Sequence, residues 1–197
     1  MEFNVFPKIA RLNREMVITE KIDGTNASIE LVSSLAILID PKFIIAEVGD
    51  LFIFAGSRTR YITPENDNQG FAKWVKAHAE ELVQLGPGQH FGEWWGQGIQ
   101  RTYGLTEKRF SLFNTARWAE LFPVTEDSCI GVVPELYHGL FDSAVVNATL
   151  TLLGAQGSIA APGFMNPEGI VVYHTAANQM FKVTLEKDSE WKGKQNG

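Results

Sequence analysis

Glu20-Lys21-Ile22-Asp23-Gly24-Thr25-Asn26 separates two β-like runs. Met16–Lys21 precedes it. After it, Ala27, Ile29 and Leu31 alternate with Ser28, Glu30 and Val32, the pattern of a half-buried strand. Asp23-Gly24 is a turn signal. Side chains alternate along an extended chain, so Lys21 and Asp23 point the same way. Such a pair is either a surface ion pair, worth about 0–1 kcal/mol, or part of a site. A free lysine titrates near 10.4. It attacks an electrophile only where desolvation, neighbouring cations or a metal releases its proton.

Working outward, residues 1–15 mix apolar and basic side chains around Pro7 and read as an irregular lead-in. Phe43–Val48 and Leu51–Ala55 flank Gly49-Asp50, a hairpin pattern. Phe71, Trp74, Val75, Leu82 and Val83 have helical spacing, and Gly86-Pro87-Gly88 ends that helix. Phe91–Trp95, Arg109–Asn114 and Ile130–Tyr137 read as strands, with Pro134 at an edge or end. Asp142–Leu153 reads as a second helix, capped by Asp142 or Ser143 and followed by Gly154. Gly169–His174 and Met180–Glu186 form a last strand pair before a polar tail from Lys187. Many strands, two helices and no βαβ alternation predict an α+β fold built on antiparallel sheets.

At 197 residues and 45% hydrophobic content, one domain over 1–197 with a real core is expected. A net charge of −6 argues against a broad electrostatic grip on nucleic acid but leaves room for a narrow basic cleft. Cys129 is the sole cysteine, which excludes an internal disulfide and reads as an inert thiol. His78, His90, His138 and His174 are scattered, without metal-ligand spacing. No apolar run reaches spanning length, so a cytoplasmic protein without membrane contact is expected.

Several later residues have both a structural and a chemical reading. Glu93 lies in Phe91-Gly92-Glu93-Trp94-Trp95, where an acid is costly to bury alone; it is an exposed edge glutamate or an acceptor for a ligand hydroxyl. Along Arg109–Asn114, Phe110 and Leu112 share one face, while Phe113 shares the other with Ser111 and Arg109. Phe113 is then a stacking platform, unless both faces are buried. Glu168 opens a very apolar strand and suits a magnesium–water contact. Lys182 lies on one strand face with Thr184 and Glu186, and Ser57-Arg58-Thr59-Arg60 adds cations after the hairpin. Solvated charge is the alternative for both segments.

Taken in order, these segments resemble the covalent nucleotidyltransferase superfamily of polynucleotide ligases and mRNA capping enzymes, and within it the ATP-dependent RNA ligases. Glu20–Asn26 is similar to the nucleophile motif and Ser57-Arg58 to the next. Phe91-Gly92-Glu93 is similar to the third motif and Leu112-Phe113-Asn114 to its aromatic companion. Glu168–Val171 and Phe181-Lys182-Val183 are similar to the fourth and fifth motifs. Asn26 stands where DNA ligases and capping enzymes usually carry arginine, which favours the RNA branch.

The resemblance implies two antiparallel sheets flanked by helices, with a nucleotide-binding groove; ligases of this superfamily generally append another domain, often an OB-fold, and at 197 residues this chain departs from them, with no appended OB domain expected. It implies that Lys21 attacks the α-phosphate of ATP and that Lys182 neutralises charge there. Glu168, Asp23 and Asn26 would hold Mg2+, or Mn2+ in its place, through water. Arg58 would contact ribose or phosphates, Glu93 the ribose hydroxyls, Phe113 the adenine face and Glu20 the adenine edge. The partners implied are RNA ends, a 5′-phosphate and a 3′-OH, joined by a monomer with no obligatory protein partner. Where the fifth motif often pairs lysines at alternate positions, this chain has Met180, Lys182 and Thr184, with Lys187 the next cation. Two alternatives are a non-sealing nucleotide- or RNA-end-binding module and a capping-type guanylyltransferase using GTP.

Overall fold

The computed structural model describes residues 3–35, 40–124 and 128–186. Among these, the strands are β1 (Glu15–Lys21), β2 (Thr25–Ser33), β3 (Ala46–Val48), β4 (Leu51–Ser57), β5 (Tyr61–Ile62), β6 (Gly88–Gly96), β7 (Lys108–Leu112), β8 (Ile130–Val132), β9 (Glu135–Leu140), β10 (Gly169–His174) and β11 (Gln179–Thr184). The helices are α1 (Phe71–Ala77), α2 (Ala79–Leu82), α3 (Thr115–Trp118) and α4 (Ser143–Gln156). The fold is α+β. The chain forms two compact units, one holding the chain up to Ile22 and again from Val133, the other Asp23–Val132.

The first unit carries a four-stranded antiparallel sheet in the order β11-β10-β1-β9. Alternation along β1 buries Met16 and Ile18, which pack with Ile170, Val172 and Leu153 of α4. Asp142 caps α4 by accepting the Ala144 N–H at 2.7 Å. The helix runs past Gly154, the expected stop, to Gly157. A Cβ on Gly154 would lie 3.0 Å from Leu185 Cδ2, the movable end of a part-exposed side chain, and the helix continues through this glycine as an interior residue.

The second unit carries a seven-stranded sheet in the order β3-β4-β2-β6-β7-β8, with β5 paired to β4. Its one parallel pair is β7–β8; the others are antiparallel. Ala27, Ile29 and Leu31 face a core shared with Ile53, Trp94, Phe110, Phe71 and Val75. The expected β3–β4 hairpin forms, with Gly49 at φ 59°. The expected helix from Phe71 is broken at His78, whose ring Nδ1–H donates to the Trp74 carbonyl at 2.9 Å and whose ring stacks on the Trp74 ring.

The single strand expected over Ile130–Tyr137 does not form. Ile130–Val132 pairs with β7, and Glu135–Leu140 pairs with β1 in the other sheet. Pro134 lies between them, with no N–H to give a ladder and a fixed φ; its carbonyl instead accepts the Glu20 N–H at 2.9 Å. Residues 3–14 add no strand before Glu15, in line with an irregular lead-in. Lys187 lies outside the described residues.

Candidate active site

Lys21 ends β1, a central strand, on the face opposite Met16 and Ile18. Its Nζ donates to Glu168 Oε2 at 2.6 Å, with side chains 23% and 17% exposed. Register explains the meeting: Lys21 pairs with Gly169, so the residue before β10 arrives beside the end of β1. Gly169 is required by crowding. A Cβ there would meet the Val183 carbonyl and lie 2.8 Å from Thr184 Cα on β11. Residue pairing continues across the sheet, placing Thr184 in line with Lys21 and Gly169, and Lys182 in line with Val171 and Thr19. Lys182 therefore shares the Lys21 face and is exposed. Thr184, where a second lysine of the fifth motif would fall, is buried in the Lys21 row.

Glu20 points the other way. It is 1% exposed, and its carboxylate accepts from the Ser158 hydroxyl at 2.6 Å and from the Ile159 and Ala160 N–H groups at 2.8 and 2.9 Å. Burial pushes its carboxyl up from the ordinary value, outweighing the lowering effect of Ser158, Ala160 and Ile159. Its side chain is thus an anchor between β1 and the loop after α4, on the face away from Lys21. That differs from the adenine-edge contact implied by the resemblance, because three donors already engage both carboxylate oxygens.

In the second unit, Asn26 on β2 pairs with Glu93 on β6, which pairs with Ser111 on β7. The structure thus sets Asn26 and Glu93 side by side. Glu93 Oε1 accepts the Gly24 N–H at 3.0 Å. Gly24 admits no side chain: a Cβ would meet the Trp94 carbonyl and lie 2.7 Å from Trp95 Cβ. The turn glycine of the motif is therefore needed for close approach to β6.

Phe113 follows β7 and is 36% exposed; its N–H donates to the Phe91 carbonyl at 3.0 Å. β7 itself is buried on both faces. Ser111 accepts from Trp95 Nε1 at 2.9 Å, and Arg109 donates to Glu107 at 2.6 and 2.9 Å. The exposed Arg58 follows Ser57, the partner of Ala27, in the β4–β5 turn.

Two residues that the sequence reading passed over grip Asp23. Arg101 Nε donates to Asp23 Oδ2 at 3.0 Å, and the Asp23 N–H donates to Tyr103 Oη at 2.7 Å. Their signal was weak: an arginine and a tyrosine between Gly98 and Gly104, in no familiar spacing. Ser158 was likewise an unremarked serine after a helix.

Among the described residues, no three His, Cys, Asp or Glu side chains converge as a metal site. Carboxylate and amide oxygens such as those of Glu168, Asp23 and Asn26 suit magnesium, which keeps several of its waters. Among the described residues, no helix is long and apolar enough to cross a membrane.

The RNA ligase family model matches residues 14–184. Solved structures of the Naegleria gruberi RNA ligase share the fold. A lysine-to-alanine variant with ATP and Mn is 19% identical, with a TM-score of 0.51 over 87% of this chain and 49% of that one. A ligand-free lysine-to-alanine variant gives 19%, 0.52, 87% and 50% in the same order. A lysine-to-methionine variant with AMP and Mn gives 20%, 0.51, 88% and 50%. The chain thus spans about half the length of these solved relatives. No curated protein sequence matches it. With the family model covering most of the sequence, from just before the Lys21 strand through β11, the chain belongs to the RNA ligase family.

Proposed function

We propose that the protein is an ATP-dependent RNA ligase that joins a 3′-OH to a 5′-phosphate through a lysyl-AMP intermediate. The observation that carries this reading is the 2.6 Å contact between Lys21 Nζ and Glu168 Oε2 at the ends of adjacent strands. Lys21 must lose a proton before it attacks, and Glu168 is within hydrogen-bond reach of that proton. A bond then forms from Nζ to the α-phosphorus as the bond to the leaving pyrophosphate breaks. AMP passes from the lysine to an RNA 5′-phosphate, and a 3′-OH attacks that phosphorus and expels AMP.

In this reading both compact units belong to one nucleotidyltransferase domain over 1–197. Lys182, on the Lys21 face, neutralises charge developing on the α-phosphate. Arg58, Glu93 and Phe113 contact phosphate or ribose, ribose hydroxyls and adenine, respectively. A contact to adenine from Glu20 would come from its main chain, the side chain being engaged elsewhere. Glu168, Asp23 and Asn26 would hold magnesium through water, with manganese able to substitute. Bound there, the metal supplies positive charge that favours the neutral amine and the departing pyrophosphate. The matched relatives include structures with ATP and Mn and with AMP and Mn, which supports this choice of nucleotide and metal. The protein acts as a cytoplasmic monomer on RNA ends.

The test is incubation with magnesium and ATP labelled at the α-phosphate, followed by 5′-phosphorylated RNA. Covalent label on the wild type, no label on Lys21→Ala and a joined RNA product are expected. Label retained by Lys21→Ala sinks the mechanism. Label without joined RNA restricts the protein to adenylylation.

A further inference from the structure

We propose that Arg101 and Tyr103 are positioning residues for the reaction of Lys21, acting through the Asp23-Gly24 turn. This rests on the ligase reading above. Two consecutive N–H groups and one carboxylate of the turn are held by a single stretch of chain. Asp23 donates its N–H to Tyr103 Oη, Gly24 donates to Glu93 Oε1, and Asp23 Oδ2 accepts from Arg101 Nε. These contacts are shielded. The Arg101 side chain is 17% exposed and Tyr103 is 2% exposed. The Tyr103 ring meets the buried Trp95 ring edge-on at 5.0 Å.

The loop that presents them carries backbone strain. Gln100, Thr102 and Tyr103 have φ of 45°, 56° and 54°, and Gly98 and Gly104 are also left-handed. Non-glycine residues rarely adopt this conformation, and a β-branched threonine least readily. Three within four positions persist only where the surroundings over-determine the backbone, a situation concentrated at functional sites. An ordinary loop between β6 and β7 could use glycine at Thr102, whose side chain is exposed. What the strained path delivers is a pair of side chains onto Asp23, two residues after the nucleophile. Arg101 takes one oxygen of that carboxylate.

The experiment is single-turnover labelling of Lys21 over a range of ATP concentrations, with Tm recorded for each variant. Arg101→Ala is expected to slow labelling at saturating ATP about 100-fold, with the half-saturating ATP concentration within about twofold, as for a misplaced reacting group. Arg101→Lys, which restores charge without the planar fork, recovers part of the rate. Tyr103→Phe, which removes the hydroxyl that accepts the Asp23 N–H and keeps the ring, slows labelling about 10-fold. Thr102→Gly relieves the strain; it is expected to hold or raise Tm while slowing the reaction. A merely structural loop would do the reverse, with rates tracking Tm. Arg101→Ala and Tyr103→Phe labelling at the wild-type rate overturn the proposal, as does Thr102→Gly labelling at the wild-type rate with losses elsewhere matched by falls in Tm. A wild-type protein that takes no label overturns the ligase reading and this inference together, whereas labelled wild type with unslowed variants overturns the inference alone.

Discussion

Neighbouring residues on β1 have opposite fates. Lys21 and Glu20 differ by one position, and the period of two sends them to opposite faces. Lys21 meets one carboxylate at partial exposure, while Glu20 is buried under three donors. The raised carboxyl of Glu20 has a defined consequence for stability. Its folded form holds a proton above the ordinary value of 4.5, so in that window the native state binds more protons than the unfolded state. This contribution is present at low pH and is lost as pH rises through the folded value. Glu20→Gln has no titrating group; with its amide oxygen kept on the Ile159 and Ala160 N–H groups, its N–H2 faces the Ser158 hydroxyl, which must turn from donor to acceptor, at a cost of about 1–3 kcal/mol. Its Tm deficit relative to wild type is expected to be largest near pH 4 and to shrink as pH rises, measured by thermal melts across that range.

At the level of elements, two glycines set how closely strands approach. Gly24 lies against β6 and Gly169 against β11, and neither has room for a methyl group. Gly169→Ala would push β11 away from β10 beside the Lys21–Glu168 pair. Overpacking of this kind costs about 1–3 kcal/mol. The expected result is faster hydrogen exchange at the amides of β11, with β2 and β6 unchanged; uniform exchange across both sheets would refute a local effect. Strand identity was widely legible in the sequence. β1, β2, β6, β7 and β10 follow alternation or apolar runs, and the β3–β4 hairpin follows its Gly49-Asp50 turn. The break at Pro134 and the run of α4 through Gly154 were not legible. The first depends on where a residue without an N–H leaves the ladder and the second on helix packing that outweighs one interior glycine, and spacing encodes neither.

For the whole molecule, if the protein acts on RNA as proposed, the net charge of −6 would limit how that RNA is held. A protein of this sign grips a strand through few phosphates. If about three are neutralised, the slope of log affinity against log salt is about −2 for a single strand. Filter binding of 5′-phosphorylated RNA from low to moderate salt should give that shallow slope. A slope several-fold steeper would demand a broad basic surface and contradict the small footprint.

The sequence by itself determined the α+β class, the order of the motif segments and the choice of Lys21, Glu93, Phe113, Glu168 and Lys182 as candidates. These follow from side-chain period, turn chemistry and resemblance, all written along the chain. Only the tertiary structure decided that Lys21 meets Glu168, that Glu20 turns inward to the 158–160 backbone, and that Arg101 and Tyr103 hold Asp23. Those contacts join residues 78 to 147 positions apart. Strand register and a strained loop path bring them together, and neither has a signature in local spacing.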